Sequence, residues 1–509
     1  MKLKDILNHK STWFMILLMS FLITLFFSSR YSVLWSGDAD AANSPIVWRA
    51  FLDRGFSAFQ DWRPTFDNWY FTVYPVNFLL FFILGDDGVI PLLLSSVIFI
   101  FVINVIVTGI VRKNSGNIAG LIVIICLTFI SPDLYQHGYL SHPFSHNSTN
   151  AYGFIVLALY VLSLKNNNII IPIICSAVAL MASVSDPWLL ASFFLPLIIT
   201  HSVAIIIDGK RKKDLVIYLV FFVVAASNLI QHIFNLPVHE FSITTFGQMI
   251  SNINTSVLLT ARILPLIYSG SVFAAYLTFF VWIAAVTWAF YTCFKVAGNA
   301  RYITLFSFMS ILGIYSSSII GDQIPHQRFY LNIVPMVFMI CAIAMGFRSG
   351  RILAIPLLLT LLTSIFSYSN SDIGVRMKKN PVEEYIQFLE SNNLKYGYGS
   401  FWGMTMGVNW LSKGDIHITP VYFHNKTGEI NFKDARVQTM KFWHTRDFIM
   451  NGKPKRQFIA ISQGNSGDRC KDVELCALGV ERQLGTPDEI LNYHGIKLMV
   501  YNSPIKTNL

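Results

Sequence analysis

The chain has 509 residues, 54% of them hydrophobic and only 13% charged, with 42 phenylalanines and a mean hydropathy of +0.52. That composition excludes a water-soluble globular enzyme, a disordered chain and a small disulfide scaffold, and it marks a polytopic membrane protein. The formal charge of +10 reads first as a topology signal and not as a nucleic-acid footprint.

Hydrocarbon offers the backbone no hydrogen-bond partners, so a spanning helix needs about 20 apolar residues. The first such run, 12–28, follows Lys2, Lys4 and Lys10 with no small-residue cleavage site after it, and is read as an uncleaved first span. Similar runs recur at 88–111, 118–131, 151–164, 168–183, 188–207, 215–231, 268–294, 302–320, 330–347 and 352–367, which predicts eleven spans. With the N-terminus inside, the inner connections carry Lys2, Lys4, Lys10, Arg112, Lys113, Lys165, Lys210, Arg211, Lys212, Lys213, Lys295, Arg301, Arg348 and Arg351. The opposite connections carry only Arg30, Arg49, Arg54, Arg63, Arg262 and Arg328, spread over more residues. Positive charge therefore sets the parity.

The first outer connection, 29–87, is the most polar, with Asp38, Asp40, Asp53, Asp61, Asp67, Asp86 and Asp87 beside four arginines. Its Trp35-Ser36-Gly37-Asp38-Ala39-Asp40 segment lies close behind the first span. Ser44-Pro45 then predicts a helix to about Arg54, stopped by Gly55, with an apolar side suited to the membrane interface. Asp67-Asn68-Trp69-Tyr70 pairs polar groups with aromatics that could stack on a sugar or anchor at the interface. The apolar stretch 72–84 is roughly 20 Å long as a helix, too short to span, and is read as lying in or re-entering the outer interface, the alternative being a short tilted span.

Later outer connections repeat the polar pattern: Ser131–Asn150 with His142 and His146, the turn with Asp186-Pro187-Trp188, and Gly321–Tyr330 with His326 and Arg328. The four-residue spacing of His142 and His146 could offer two imidazoles to a metal on a helix, but Pro143 favours a loop, and no metal or other cofactor is expected. Asp186 before Pro187 also fits a helix cap.

Beyond about residue 370 the composition changes to that of a soluble domain. The expected domains are thus 1–369, membrane-embedded, and 370–509, a small mixed α/β unit on the outer side. Asn380-Pro381 predicts a helix through about Glu390, strand-like runs fall at 396–402, 416–423, 457–461 and 496–501, and Thr486-Pro487-Asp488-Glu489 predicts a second short helix. Cys470 and Cys476 flank a short loop there and are expected to form a disulfide, whereas Cys126, Cys175, Cys293 and Cys341 sit singly in apolar runs as packing residues.

Carboxylates, histidines, arginines and aromatics gathered at an outer membrane surface suit transfer of a sugar from a lipid carrier to a hydroxyl. The carrier tail needs spans, its phosphate needs cations, and the acceptor needs a carboxylate base. The layout resembles the GT-C membrane glycosyltransferases, with an acidic motif after span one, surface helices in that loop, many spans and a periplasmic C-terminal domain. Within them it most resembles the polytopic O-antigen glucosyltransferases of serotype conversion. The resemblance implies an inner-membrane enzyme that moves a sugar, glucose in that group, from undecaprenyl phosphate to a surface glycan such as lipopolysaccharide. Asp38 or Asp40 would be its base. Arg328, aided by His326 and with Arg30 as an alternative, would hold the phosphate, and Asp67, Asn68, Trp69, His142, His146, Asp186 and Trp188 would contact substrate. Competing readings are an O-antigen polymerase or ligase using diphosphate-linked glycan, and a lipid or sugar transporter. The soluble insertion of the former usually lies between spans, and the latter commonly shows internal repeats absent here.

Overall fold

A computed structural model describes residues 3–136, 140, 142, 144, 146–296, 298–369, 380–434, 436–450, 452–465 and 468–507. They form two compact units, one of 1–32, 66–76 and 93–376, the other of 33–65, 77–92 and 377–509.

The first unit is helical. Each of the eleven apolar runs folds as helix, and among the described residues seven helices are long and apolar enough to cross a membrane: Lys10–Leu34, Val89–Ser115, Leu190–Asp208, Val272–Phe294, Asn299–Ile320, Gln327–Ala344 and Arg348–Ser369. The other runs give shorter helices at Asn117–Thr128, Asn147–Ser163, Ile170–Ser185 and Lys212–Ala226. Ile333–Ala344 is buried along its whole length and forms the centre of this unit. By contrast, helix Val272–Phe294 keeps Phe273, Phe280 and Ile283 on its exposed side, as expected of a helix that faces lipid.

Helix Phe246–Ile263 did not stand out as an apolar run, because its sequence alternates polar and apolar groups. Thr245 caps it by accepting from the Gln248 amide at 3.3 Å, one half of a capping box. Its polar side faces inward. Ser256 Oγ lies 2.6 Å from the Tyr330 hydroxyl, Thr260 Oγ1 lies 2.6 Å from the Tyr315 hydroxyl, and Asn252 donates to the Ile319 carbonyl at 3.2 Å. Phe246, Ile250 and Ile253 are exposed. A surface helix in water shows the reverse arrangement, so this one is built for an apolar surrounding.

The second unit is α/β. Strands β1 (Tyr396–Gly399), β2 (His417–Pro420), β5 (Gln457–Ser462), β6 (Glu489–Tyr493) and β7 (Ile496–Tyr501) form one sheet in the order β2-β1-β5-β7-β6, while β3 (Tyr422–Phe423) and β4 (Ile430–Asn431) pair separately. β1 runs parallel to β2 and β5, and β7 antiparallel to β5 and β6. Side chains alternate across the pleat. Phe458, Ala460, Leu498 and Val500 pack with helix Pro381–Ser391 through Val382, Tyr385 and Leu389, whereas Ile459, Ile461, Met499 and Tyr501 share the other core with Cys476 and Val480 of helix Val473–Leu484. Burial on both faces explains why these strands read as continuous apolar runs.

Two local expectations are corrected. The segment after Thr486 is strand β6, because His494 and Gly495, both at positive φ (42° and 83°), make a two-residue turn that pairs Tyr493 with Ile496. The helix lies just before it, at Val473–Leu484, capped by Asp472, which accepts from the Glu474 and Leu475 amides. The first strand also ends early. After Gly399 the chain turns into a kinked segment, Phe401–Thr405, that leaves helical geometry at Gly403 and at Met404 (φ 67°). The sulfurs of Cys470 and Cys476 are bonded, and the other four cysteines are buried.

Candidate functional site

The acidic segment of the first connection belongs to the α/β unit and is held by its residues. Gly37 turns the chain at φ 89°, and a Cβ placed there would meet Val382 Cγ2 at 2.5 Å. Asn380, which caps helix Pro381–Ser391 by accepting from the Val382 amide at 3.0 Å, also donates to the Ser36 carbonyl at 3.0 Å and to its hydroxyl at 2.7 Å. Gly407 lets the Gly37 carbonyl approach, since a Cβ there would lie 2.1 Å from that oxygen. The turn leads directly into helix Asn43–Arg54, which ends at Gly55 (φ 62°). Arg49 of that helix forks onto Asp87 at 2.5 and 2.8 Å and donates to the carbonyls of Asn409 and Trp410.

The two aspartates differ. Asp40 Oδ1 accepts from Gln438 Nε2 at 2.9 Å, so part of its carboxylate is occupied. Asp38 Oδ1 accepts a local backbone bond from the Asp40 amide at 2.8 Å, and more than a third of the residue stays open to solvent. The group is nevertheless densely surrounded by protein, a recess and not a core. Burial first, and the like charge of Asp40 second, raise its pKa to about 7, against the lowering pull of the Asp40 and Ala41 amides. A carboxyl with that pKa is suited to proton abstraction near neutrality.

The helical unit contains a cavity of about 440 Å³, within the usual size range of small-molecule sites. Asp67, His146, Asp186, Trp188 and Arg328 line it together with Phe66, Asn228, His239, Glu240, Phe241, Asp322 and Phe329. Segment 66–76 is fixed to the end of helix Ile170–Ser185. Asn68 Nδ2 donates to the Val184 carbonyl at 2.7 Å, and the Phe71 amide donates to Ser185 Oγ at 2.9 Å. The wall from 239 to 242 is fixed to the end of helix Asn299–Ile320, with the Asp322 amide donating to the Ser242 carbonyl at 3.0 Å and the Thr244 amide to the Ile320 carbonyl at 2.9 Å.

Arg328 is half-buried, its Nε is sealed from solvent with no hydrogen-bond partner among the described residues, and its guanidinium carbon lies 5.1 Å from the centre of the Phe329 ring. Phe329 in turn lies 4.9 Å from the Trp188 ring. Asp186 is 1% exposed and accepts from the Trp188 amide at 3.0 Å, the cap expected of it, and it is also bonded to His146 and Thr149. Burial alone would raise the Asp186 carboxyl, but the charge and hydrogen bond of His146, with Thr149 and the Trp188 amide, bring it below the ordinary carboxylate value.

Of the residues singled out in the sequence, Asp67, His146, Asp186, Trp188 and Arg328 are thus gathered around one cavity. Asn68 and Trp69 are buried beside it as supports, 1% and 3% exposed. His142 is buried and accepts from the Phe144 amide at 3.2 Å. His326 is exposed, and Arg30 packs over Phe26; neither lines the cavity. His239 and Glu240 do, and the signal for them was the proline-bearing break Leu236-Pro237-Val238-His239-Glu240 between apolar runs. Among the described residues no group of three or more His, Cys, Asp or Glu side chains is arranged to hold a metal. In the α/β unit Trp410 and Trp443 are core residues, while Trp402 is half-buried.

No protein-family model and no curated protein matches the chain. Solved structures do. ArnT from Cupriavidus metallidurans in the apo state aligns with a TM-score of 0.57 at 11% identity, covering 97% of this chain and 98% of that one. The same protein bound to undecaprenyl phosphate aligns at 0.54 and 12%, covering 89% and 94%. The oligosaccharyltransferase of Archaeoglobus fulgidus, in complex with Zn and sulfate, aligns more loosely, at 0.45 and 12%, over 97% of this chain and 74% of that one. The chain is therefore a polytopic helical membrane protein with a small C-terminal α/β region, and its fold is the GT-C fold of membrane glycosyltransferases.

Proposed function

We propose that the protein is an inverting glycosyltransferase of the bacterial inner membrane. It takes a single sugar, glucose by the resemblance read from the sequence, from undecaprenyl phosphate and adds it to a periplasmic glycan such as lipopolysaccharide O-antigen. The observation that carries this reading is the cavity of the helical unit. It combines the Arg328 guanidinium with carboxylates and with the Trp188 and Phe329 rings, as a phosphate next to a sugar requires. The fold shared with ArnT, one structure of which holds undecaprenyl phosphate, supports the carrier.

In this reading Asp38 takes the proton of the acceptor hydroxyl, and Asp40, tied to Gln438, keeps the Asp38 carboxyl basic. Arg328 neutralises the carrier phosphate, because guanidinium can fork two of its oxygens and stays charged at any working pH. Asp67 faces sugar hydroxyls, with Trp188 as a stacking surface. The α/β unit lies in the periplasm in this reading, as the charge distribution of the sequence leads one to expect, and that oxidising compartment suits the Cys470–Cys476 bond.

The test is purified full-length protein in lipid nanodiscs, incubated with a panel of polyprenyl-phosphate sugars, a polyprenyl-diphosphate glycan and an O-antigen acceptor. The account expects the acceptor mass to rise by one hexose from the monophosphate donor only. Transfer from the diphosphate-linked glycan would favour a polymerase or ligase. Movement of lipid-linked sugar across a sealed bilayer without transfer would favour a transporter.

A further inference from the structure

One pair in the cavity has a geometry that sugar binding does not require. His146 enters helix Asn147–Ser163 from left-handed backbone, φ 67°, a conformation few non-glycine residues adopt. There its Nδ1 lies 2.5 Å from Asp186 Oδ2. The same oxygen accepts from Thr149 Oγ1 at 2.5 Å, and Oδ1 accepts from the Trp188 amide at 3.0 Å, so the carboxylate cannot swing away. Both partners are buried, His146 6% and Asp186 1% exposed.

An imidazole whose Nδ1 faces a carboxylate carries a proton on that nitrogen in either charge state. Its chemistry is then expressed at Nε2, which has no hydrogen-bond partner among the described residues and belongs to a side chain that lines the cavity. A buried carboxylate calls for a neighbouring positive charge, and among the described residues His146 is the one ionisable side chain bonded to Asp186. A protonated His146 presents an Nε2–H donor. The Phe329 ring, 5.5 Å from the His146 ring and 5.1 Å from the Arg328 guanidinium carbon, has a cation-forming group on each contact.

We propose that His146 is a second phosphate-contacting residue, donating from Nε2–H to the phosphate of the lipid carrier beside Arg328, and that Asp186 and Thr149 are positioning residues that hold this donor. The inference rests on the polyprenyl-phosphate reading above. During transfer the bond between the anomeric carbon and the phosphate oxygen breaks, and its electron pair goes to that oxygen. The acceptor oxygen bonds to the anomeric carbon and its proton passes to the base. The phosphate thereby goes from a singly charged diester to a monoester bearing a second negative charge. That developing charge is what an oriented Nε2–H stabilises, more in the transition state than in the ground state.

The experiment uses the full chain in nanodiscs and three probes: undecaprenyl phosphate, the uncharged alcohol undecaprenol, and the sugar-loaded donor. His146→Gln weakens undecaprenyl phosphate binding by at least about tenfold, the loss expected of a charge-assisted hydrogen bond, and leaves undecaprenol binding unchanged. Asp186→Asn gives a smaller loss that disappears in the His146→Gln background, because Asp186 acts through His146. Equal phosphate binding by native protein and His146→Gln overturns the proposal, as does a loss of turnover with phosphate binding intact, which would make His146 a proton acceptor. Additive effects of the two substitutions overturn the positioning role of Asp186. Thr149→Val repeats the positioning test if Asp186→Asn does not fold. Failure of the native protein to bind undecaprenyl phosphate at all would instead reject the carrier assigned under the proposed function.

Discussion

The ionisation of Asp38 gives the sharpest quantitative expectation. Its pKa lies near 7 because of burial and the adjacent Asp40 charge, so a base at that position is about half ionised at pH 7, about one tenth at pH 6 and about nine tenths at pH 8. Transfer should therefore fall roughly fivefold from pH 7 to pH 6 and rise less than about twofold from pH 7 to pH 8, before any alkaline limb intervenes. Asp38→Asn should cost about 10²- to 10⁴-fold in turnover at all pH values, the usual contribution of a positioned general base. Asp40→Asn removes the second of the two raising causes and should move the acid limb to lower pH. Stability gives an independent readout. A carboxyl with a folded pKa above its unfolded value favours the fold below the unfolded value and loses that contribution as pH rises through the folded one. For Asp38 the window runs from about 4 to about 7, so Asp38→Asn should leave the melting temperature at pH 8 unchanged or raised. Turnover measured with a mass-tagged acceptor from pH 5.5 to 8.5, beside thermal melts, checks both. A flat acid side in the native protein, or an Asp38→Asn variant with native turnover and a preserved acid limb, would refute the assignment.

Three further outcomes are expected. Gly37→Ala forces a side chain onto Val382 at 2.5 Å from a left-handed position, which costs on the order of 1–3 kcal/mol of strain, and the displaced turn should lose transfer activity while undecaprenyl phosphate binding is retained. Arg49→Met leaves Asp87 and the carbonyls of Asn409 and Trp410 without their donor. It should destabilise the α/β unit by about 1–3 kcal/mol in chemical denaturation, and an equal melt for native and variant would show the fork to be idle. Paired Cys470→Ser and Cys476→Ser changes open a short loop and should cost about 2 kcal/mol, read as a lowered unfolding midpoint that reductant reproduces in the native protein.

Much of the architecture was legible because its signals are local. Length and hydropathy marked the helices of the membrane unit. Gly55 and Asn380-Pro381 marked a helix stop and a helix start. What escaped depends on partners distant in sequence or on inverted patterning. Helix Phe246–Ile263 carries Asn252, Ser256 and Thr260 as an inward polar stripe, and they look unlike a membrane helix until Tyr315 and Tyr330 are seen to satisfy them. The strand after Thr486 carries a proline and acidic start that suit a helix, and only the His494-Gly495 turn, pairing it with β7, decides against one. Sequence spacing left the choice of base between Asp38 and Asp40 open, with Asp38 preferred. Gln438, nearly four hundred residues on, distinguishes them by occupying one oxygen of Asp40. The pairing of His146 with Asp186 was likewise invisible, since both were candidate sugar contacts on separate loops.

The claim on which all of this depends is direct displacement at the anomeric carbon by an acceptor activated at Asp38. Its most direct measurement is the anomeric configuration of the product formed by purified protein from a polyprenyl-phosphate sugar of known configuration, read by NMR in parallel for native and Asp38→Asn protein. The account predicts a single sugar transferred with inversion by the native protein and no detectable product from the variant. A retained configuration, or inverted product formed equally well by Asp38→Asn, would contradict it.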